Sequence, residues 1–142
     1  LEQVLRAARE VAAGGRVHVV FGCGGDRDQT KRPEMGRVAA QRADRVVLTS
    51  DNSRHEDTRA IISAVQKGID HASGAIATEV IIEPDRDAAI AVALAGAGAG
   101  DVVVLAGKGH ETTQTVGDTV TEFDDREVAR RHLRARSGGA GR

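Results

Sequence analysis

Three short segments of this chain concentrate glycine together with charged side chains. The first is Gly22-Cys23-Gly24-Gly25-Asp26-Arg27-Asp28, followed closely by Lys31-Arg32-Pro33. The second is Asp51-Asn52-Ser53-Arg54, and the third is Gly107-Lys108-Gly109-His110-Glu111. Each has a plain reading and a chemical one. The glycine run of the first is either a tight turn or a set of backbone N–H groups facing an anion, with Arg27, Lys31 and Arg32 adding positive charge. The second is either a turn with a helix cap or a binding loop. In the latter, Asn52 offers both donor and acceptor and Arg54 offers a fork for a carboxylate. In the third, Glu111 is either a solvated loop carboxylate or an acceptor for a cation.

Familiar phosphate motifs do not fit these segments. A dinucleotide fingerprint needs a small residue where Arg27 stands. A Walker A loop needs Gly, four residues, then Gly-Lys-Ser/Thr, and the stretch from Ala106 to Glu111 lacks that spacing. His110 has no identifiable nucleophile or orienting partner, so it reads poorly as a general base. His18, His71 and His132 are scattered and read as structural or surface residues. Cys23 reads as a small buried filler after a strand. Asp124 and Glu127 have capping-box spacing.

The elements that must position these loops follow from hydrophobic periodicity. Helical spacing runs through Leu1, Val4, Leu5, Ala8, Val11 and Ala12, and Gly14-Gly15 ends it. Strands are expected over Val17 to Phe21, Arg45 to Thr49, Glu79 to Glu83 and Val102 to Ala106. Helical faces lie between them: Met35/Val38/Ala39/Ala43, then Ala60/Ile61/Ala64/Val65/Gly68, then a helix capped by Asp85 that runs to about Ala95. Thr113–Val116 and Thr119–Glu122 flank Gly117-Asp118 as a hairpin. A last helix opens at Asp124 and runs to about Leu133. Strands alternating with helices predict an α/β fold, a mostly parallel sheet with helices on both faces. The terminal hairpin is expected to add an antiparallel edge strand. Ligands of such sheets bind at the carboxyl ends of the strands. All three glycine-and-charge segments follow strands, whereas the return connections lack this composition.

Length and composition bound the rest. The 142 residues fit one domain, taken here as 1–135, with a glycine-rich tail over 136–142 expected to be disordered. Lys and Arg total 20 against 21 for Asp and Glu, a net charge of −1, which argues against nucleic-acid binding. Only Phe21 and Phe123 are aromatic, so base-stacking surfaces are not expected. The longest apolar run, Ala88 to Ala95, is far short of the roughly 20 residues that span a membrane. The single cysteine excludes an internal disulfide framework and a Cys-rich zinc site, and no metal site is expected. No signal-peptide pattern opens the chain, so the expected compartment is the cytoplasm. Leu1 begins inside a helical pattern without an initiator Met, which points to a fragment or a processed chain.

Taken together, FGCGGDRDQTKRPEMG (Phe21–Gly36), TSDNSR (Thr49–Arg54) and AGKGHE (Ala106–Glu111) resemble the C-terminal domain of the Mur ligases, in particular the branch that adds meso-diaminopimelate. The resemblance runs from about Leu1 to Leu133 in the same order. It implies a Rossmann-like domain that brings in the incoming amino acid of an ATP-dependent amide ligase of peptidoglycan synthesis. In that reaction ATP phosphorylates the D-glutamate γ-carboxyl of a UDP-MurNAc dipeptide, and the diaminopimelate amine attacks. The positions that would hold diaminopimelate are Arg27, Asn52, Arg54, Gly107 and Glu111, with Lys31 and Arg32 as helpers for phosphate charge. No catalytic residue is assigned within the domain. ATP and Mg2+ would be bound mainly by a domain absent from this chain, so the isolated chain is expected to be inactive, and it is expected to be monomeric.

One departure from the family pattern stands out: Ser53 occupies the place of the proline in DNPR. Arg54 is kept, and lysine-adding relatives typically lack it. The alternatives are another Mur-like ligase domain (lysine-adding, folylpolyglutamate or cyanophycin type) or a stand-alone anion-binding module.

Overall fold

The computed structural model describes residues 1–140. In chain order the elements are α1 (Glu2–Ala12), β1 (Val17–Phe21), α2 (Lys31–Arg42), β2 (Arg45–Leu48), α3 (Thr58–Asp70), β3 (Glu79–Ile82), α4 (Arg86–Ala95), β4 (Val102–Leu105), β5 (Thr113–Val116), β6 (Thr119–Glu122) and α5 (Asp125–Ala140). β1 and β2 are apolar and buried along their whole length, apart from His18 and Arg45, which are buried too. A strand buried on both faces needs helices on both, and crossover helices supply them.

The first four strands form one parallel sheet in the order β3-β2-β1-β4. Val19 lies opposite Val46 on one side and Val104 on the other. Side chains alternate across the sheet. Val17, Val19 and Phe21 therefore pack with Leu5 and Ala8 of α1, Val38 and Ala39 of α2, and Ile61 and Val65 of α3. Val20 and Val47 face the other way, onto Ala89, Ile90 and Ala93 of α4 and Val128 of α5. Asp57 and Asp85 cap α3 and α4, accepting from Arg59 N at 3.0 Å and Asp87 N at 3.0 Å. No helix among the described residues is long and apolar enough to cross a membrane.

Sequence order runs outward from β1 to β2 to β3, then returns to the other side of β1 for β4. This reversal opens a crevice at the carboxyl ends of β1 and β4, the usual ligand position in such sheets. The loops after β1, β2 and β4 meet there, and they are the three glycine-and-charge segments.

Two expectations are corrected. The hairpin forms with the expected residues, but as a separate two-stranded sheet rather than an added edge. Its β5 strand pairs with the loop after β2 instead: Arg54 N donates to Thr115 O at 3.2 Å, and Gly117 N donates to Arg54 O. The last helix runs on to Ala140 rather than ending near Leu133. Arg136 anchors that extension by donating to the carbonyls of Leu94, in the last turn of α4, and Ala97, just beyond it. The remainder of the expected tail, 141–142, lies outside the described residues.

Candidate functional site

A pocket of about 210 Å³ opens where the three loops converge, lined by Gly24, Arg27, Asp51, Asn52, Arg54, Gly107 and Glu111. All five positions expected to hold an amino acid therefore stand around one cavity. The sequence reading missed Gly24 and Asp51 as lining residues. Asp51 had a signal, being a carboxylate placed three residues past the end of a fully buried strand.

The β2 loop is the centre of the site. Asn52 and Arg54 both adopt left-handed backbone, with φ of 36° and 51°, and Ser53 between them is 1% exposed. Asparagine tolerates that region better than most side chains, because its short amide can bond locally. The Asn52 amide is used at both ends. Its Oδ1 accepts from Thr115 N at 2.9 Å, and its Nδ2 donates to Glu111 Oε2 at 2.9 Å. One side chain thus ties the β2 loop to the hairpin and fixes the Glu111 carboxylate. Gln114 adds a second stitch, donating to Ser50 Oγ at 2.8 Å.

Arg54 donates through Nη1 to the carbonyls of Gly25 and Asn52, at 3.0 and 3.3 Å. Its Nε and Nη2 form no hydrogen bond among the described residues, and neither does the Arg27 guanidinium. A Cβ on Gly24 would stand 3.2 Å from Arg54 Nη1 and 3.5 Å from Arg27 Cγ. The bare glycine spares the Arg54 guanidinium a tight Cβ contact. Gly107 is needed for two reasons: its φ is +109°, and a Cβ there would lie 2.6 Å from Asp51 Oδ2.

Asp51 is buried, and burial pushes its carboxyl above the ordinary range, against the pull of Arg86 and Lys108. The Lys108 ammonium lies 3.7 Å from Asp51 Oδ1, donates to Thr113 O at 2.6 Å and stands over the Phe123 ring. Its charge is spent within the protein. Beneath the pocket the fully buried Arg86 donates to Ser50 O and Ala106 O, both at 3.0 Å, and forms a two-pronged pair with Asp125 at 2.8 and 2.7 Å. Ser50 and Ala106 directly precede Asp51 and Gly107, so one guanidinium holds the roots of two site loops.

The two phosphate helpers expected from sequence do not line this pocket. Arg32 is 4% exposed; it pairs with both oxygens of Glu56 at 2.9 Å and donates to Gly24 O. A guanidinium committed in this way props the β1 loop from behind. Lys31 is exposed at the start of α2 and does not line the pocket. His18 is buried at the opposite end of the sheet, bonded to Asp101 at 2.8 Å. Cys23 is buried with its Sγ 3.5 Å from Met35 Sδ.

The pocket therefore presents two guanidiniums and two carboxylates. Such a set complements a group carrying both an ammonium and a carboxylate, which is one end of an amino acid. Among the described residues no group of three His, Cys, Asp or Glu side chains stands close enough to hold a metal ion.

The family described as Mur ligase, glutamate ligase domain, matches residues 1–109. The UDP-N-acetylmuramoyl-L-alanyl-D-glutamate--2,6-diaminopimelate ligase of Synechococcus elongatus is 53% identical over 136 residues, covering 96% of this chain and 26% of that protein. The ligase of the same name from Streptomyces coelicolor is 48% identical over 138 residues, 97% of this chain and 27% of that one. A solved structure of a UDP-N-acetylmuramoyl-L-alanyl-D-glutamate--2,6-diaminopimelate ligase superimposes with a TM-score of 0.85 at 40% identity, over 96% of this chain and 27% of that one. The chain spans about a quarter of the length of the curated relatives it matches.

Proposed function

We infer function from one premise, that the chain belongs to the family of Mur ligase glutamate ligase domains, and we propose that it is the amino-acid-binding C-terminal domain of a ligase joining meso-diaminopimelate to UDP-N-acetylmuramoyl-L-alanyl-D-glutamate. The observation that carries this reading is that Arg27, Arg54, Asp51 and Glu111 line one small pocket. Diaminopimelate has an amino-acid group at each end. One end must be gripped while the other presents its amine to an activated carboxyl. In the proposed pose the distal carboxylate lies on the unused Nε and Nη2 of Arg54, with Arg27 alongside, and the distal ammonium lies on Glu111. Asn52 keeps the Glu111 carboxylate turned to receive it. Lysine has the ammonium but no distal carboxylate, so Arg54 discriminates between the two amino acids.

In this reading ATP and Mg2+ are held mainly by other parts of a longer ligase, in keeping with a Gly107 to Gly109 turn that spends its lysine on Thr113 O and Asp51. Activation of the D-glutamate carboxyl is assigned to other parts of a longer ligase, and this domain's share is to bind and orient the amine. By itself the chain is expected to release no phosphate from ATP and to bind diaminopimelate weakly, because an open pocket without its neighbouring walls has more ordering to do.

The test is an NMR titration of the chain with meso-diaminopimelate and, separately, with lysine. Diaminopimelate should shift the amides of Gly24, Asn52, Gly107 and Glu111, and lysine should shift them less. Equal shifts by both, or shifts confined to other regions, would contradict the assignment, as would phosphate release by the pure chain above a protein-free control.

A further inference from the structure

His55 follows Arg54 directly, and the imidazole stands between two carboxylates from distant parts of the chain. Nδ1 lies 3.1 Å from Asp26 Oδ2, and Nε2 lies 3.0 Å from Asp118 Oδ1. Asp26 neighbours Arg27 on the β1 loop. Asp118 is in the β5–β6 turn, whose strand holds Asn52 and Arg54. An ionised carboxylate only accepts hydrogen bonds, so contacts at both ring nitrogens require two N–H donors, which only the imidazolium provides. A neutral ring would turn a lone pair toward one of the carboxylates.

We infer that His55 is a positioning residue of the amino-acid pocket, an imidazolium strap that ties the Arg27-bearing loop to the turn of the hairpin. The inference rests on the reading of the pocket given above. The strap joins two segments that both need left-handed backbone: Asp26 has φ of 55° and Gly117 of 59°. The other charged groups nearby are engaged elsewhere. Glu56 accepts from Arg32 and from Asp26 N, Arg54 donates to Gly25 O, and Asp57 caps α3. Asp26 and Asp118 therefore set the charge state of the ring. They raise its pKa above the ordinary histidine value, with Asp118 the larger influence. For a raised pKa the strap is complete below the ordinary value and is released as pH climbs through the raised one. His55 is exposed, so the effect is modest. A pair of this kind changes affinity by about two- to five-fold.

Two measurements test this. Histidine side-chain NMR on this chain should give His55 a midpoint above about 6.5, lowered by Asp118→Asn and by Asp26→Asn. Amide protection in the hairpin turn, taken relative to the intrinsic base-catalysed exchange rate, should fall as the ring loses its proton. Diaminopimelate affinity would then be followed from about pH 6 to about pH 9 for the wild-type chain and His55→Asn. Their ratio should be about two- to five-fold at low pH and fall toward one through the NMR midpoint, a profile that a purely structural histidine would not produce. A midpoint at or below the ordinary value, indifference to both aspartate variants, or a pH-independent affinity ratio would overturn the strap. If diaminopimelate binds at no pH, the functional reading fails, and the titration and exchange alone decide the strap.

Discussion

Asn52 and Glu111 are joined by a 2.9 Å hydrogen bond from amide to carboxylate across 59 residues of sequence. The same amide accepts from Thr115 N. The loops after β2 and β4 and the hairpin are thus registered to one another through a single short side chain. Glu111 is exposed on a glycine-rich loop, and Asn52 is what gives its carboxylate a fixed direction.

Asn52→Asp isolates that bond. The new carboxylate still accepts from Thr115 N and tolerates the left-handed backbone, but it presents an oxygen to Glu111 where a donor stood. A hydrogen bond to a charged group contributes about 1.5–3 kcal/mol. Diaminopimelate affinity is expected to fall by at least tenfold, with the chain still folded by circular dichroism. Unchanged affinity in calorimetry would show that Glu111 needs no such support.

Ser53→Ala should stabilise the chain. The Ser53 hydroxyl is buried and has no hydrogen-bond partner. Removing a buried, unsatisfied polar group relieves its desolvation cost, here about 1 kcal/mol. The readout is the urea midpoint, which should rise; a fall would mean that the hydroxyl is satisfied.

Arg86→Met should be among the most damaging single substitutions. The guanidinium is fully buried and pairs with Asp125, and its loss strands that carboxylate. Breaking a buried pair from one side costs about 3–5 kcal/mol. The double variant with Asp125→Leu should recover part of this in urea unfolding. No recovery would mean that the carbonyls of Ser50 and Ala106, rather than Asp125, are what the arginine serves.

Cys23 should be nearly inert. Burial pushes its thiol up to about 11, so little thiolate exists near neutral pH. Thiol reagents should label native protein far more slowly than urea-unfolded protein, and the native rate should keep rising with pH beyond pH 9. Rapid native labelling at neutral pH would contradict the buried assignment.

Much of this site was legible in the sequence, because β-rich runs alternating with helical faces fix where strand ends fall, and glycine with charge marks which ends matter. Strand-end logic marks the loops that carry Arg27, Asn52, Arg54, Gly107 and Glu111, and the family pattern singles out those five positions. What escaped it was partner choice. Nothing local distinguishes Arg32, locked onto Glu56, from a free surface arginine, because the two meet only once α2 packs beside the β2 loop. Arg86 looks like the first residue of a capped helix until α5 delivers Asp125 to it. The hairpin's strands were readable, but not its docking site, since Arg54 and Val116 pair through an irregular loop with no periodic signal. The helical extension to Ala140 was hidden by glycines, whose helix propensity is low.

The most direct test of the account is steady-state kinetics with diaminopimelate and lysine on a full-length ligase carrying this domain, comparing wild type with Arg54→Ala and Arg54→Lys. A two-pronged guanidinium–carboxylate contact contributes roughly 1.5–3 kcal/mol, or about one to two orders of magnitude in selectivity. Arg54→Ala should raise the KM for diaminopimelate far more than that for ATP and leave lysine used as poorly as before. Arg54→Lys should recover little, because an ammonium cannot make the paired contact. The preference between the two amino acids would then collapse. If Arg54→Ala weakens diaminopimelate and lysine use equally, the arginine only supports its loop, and the assignment of the pocket to a distal carboxylate is wrong.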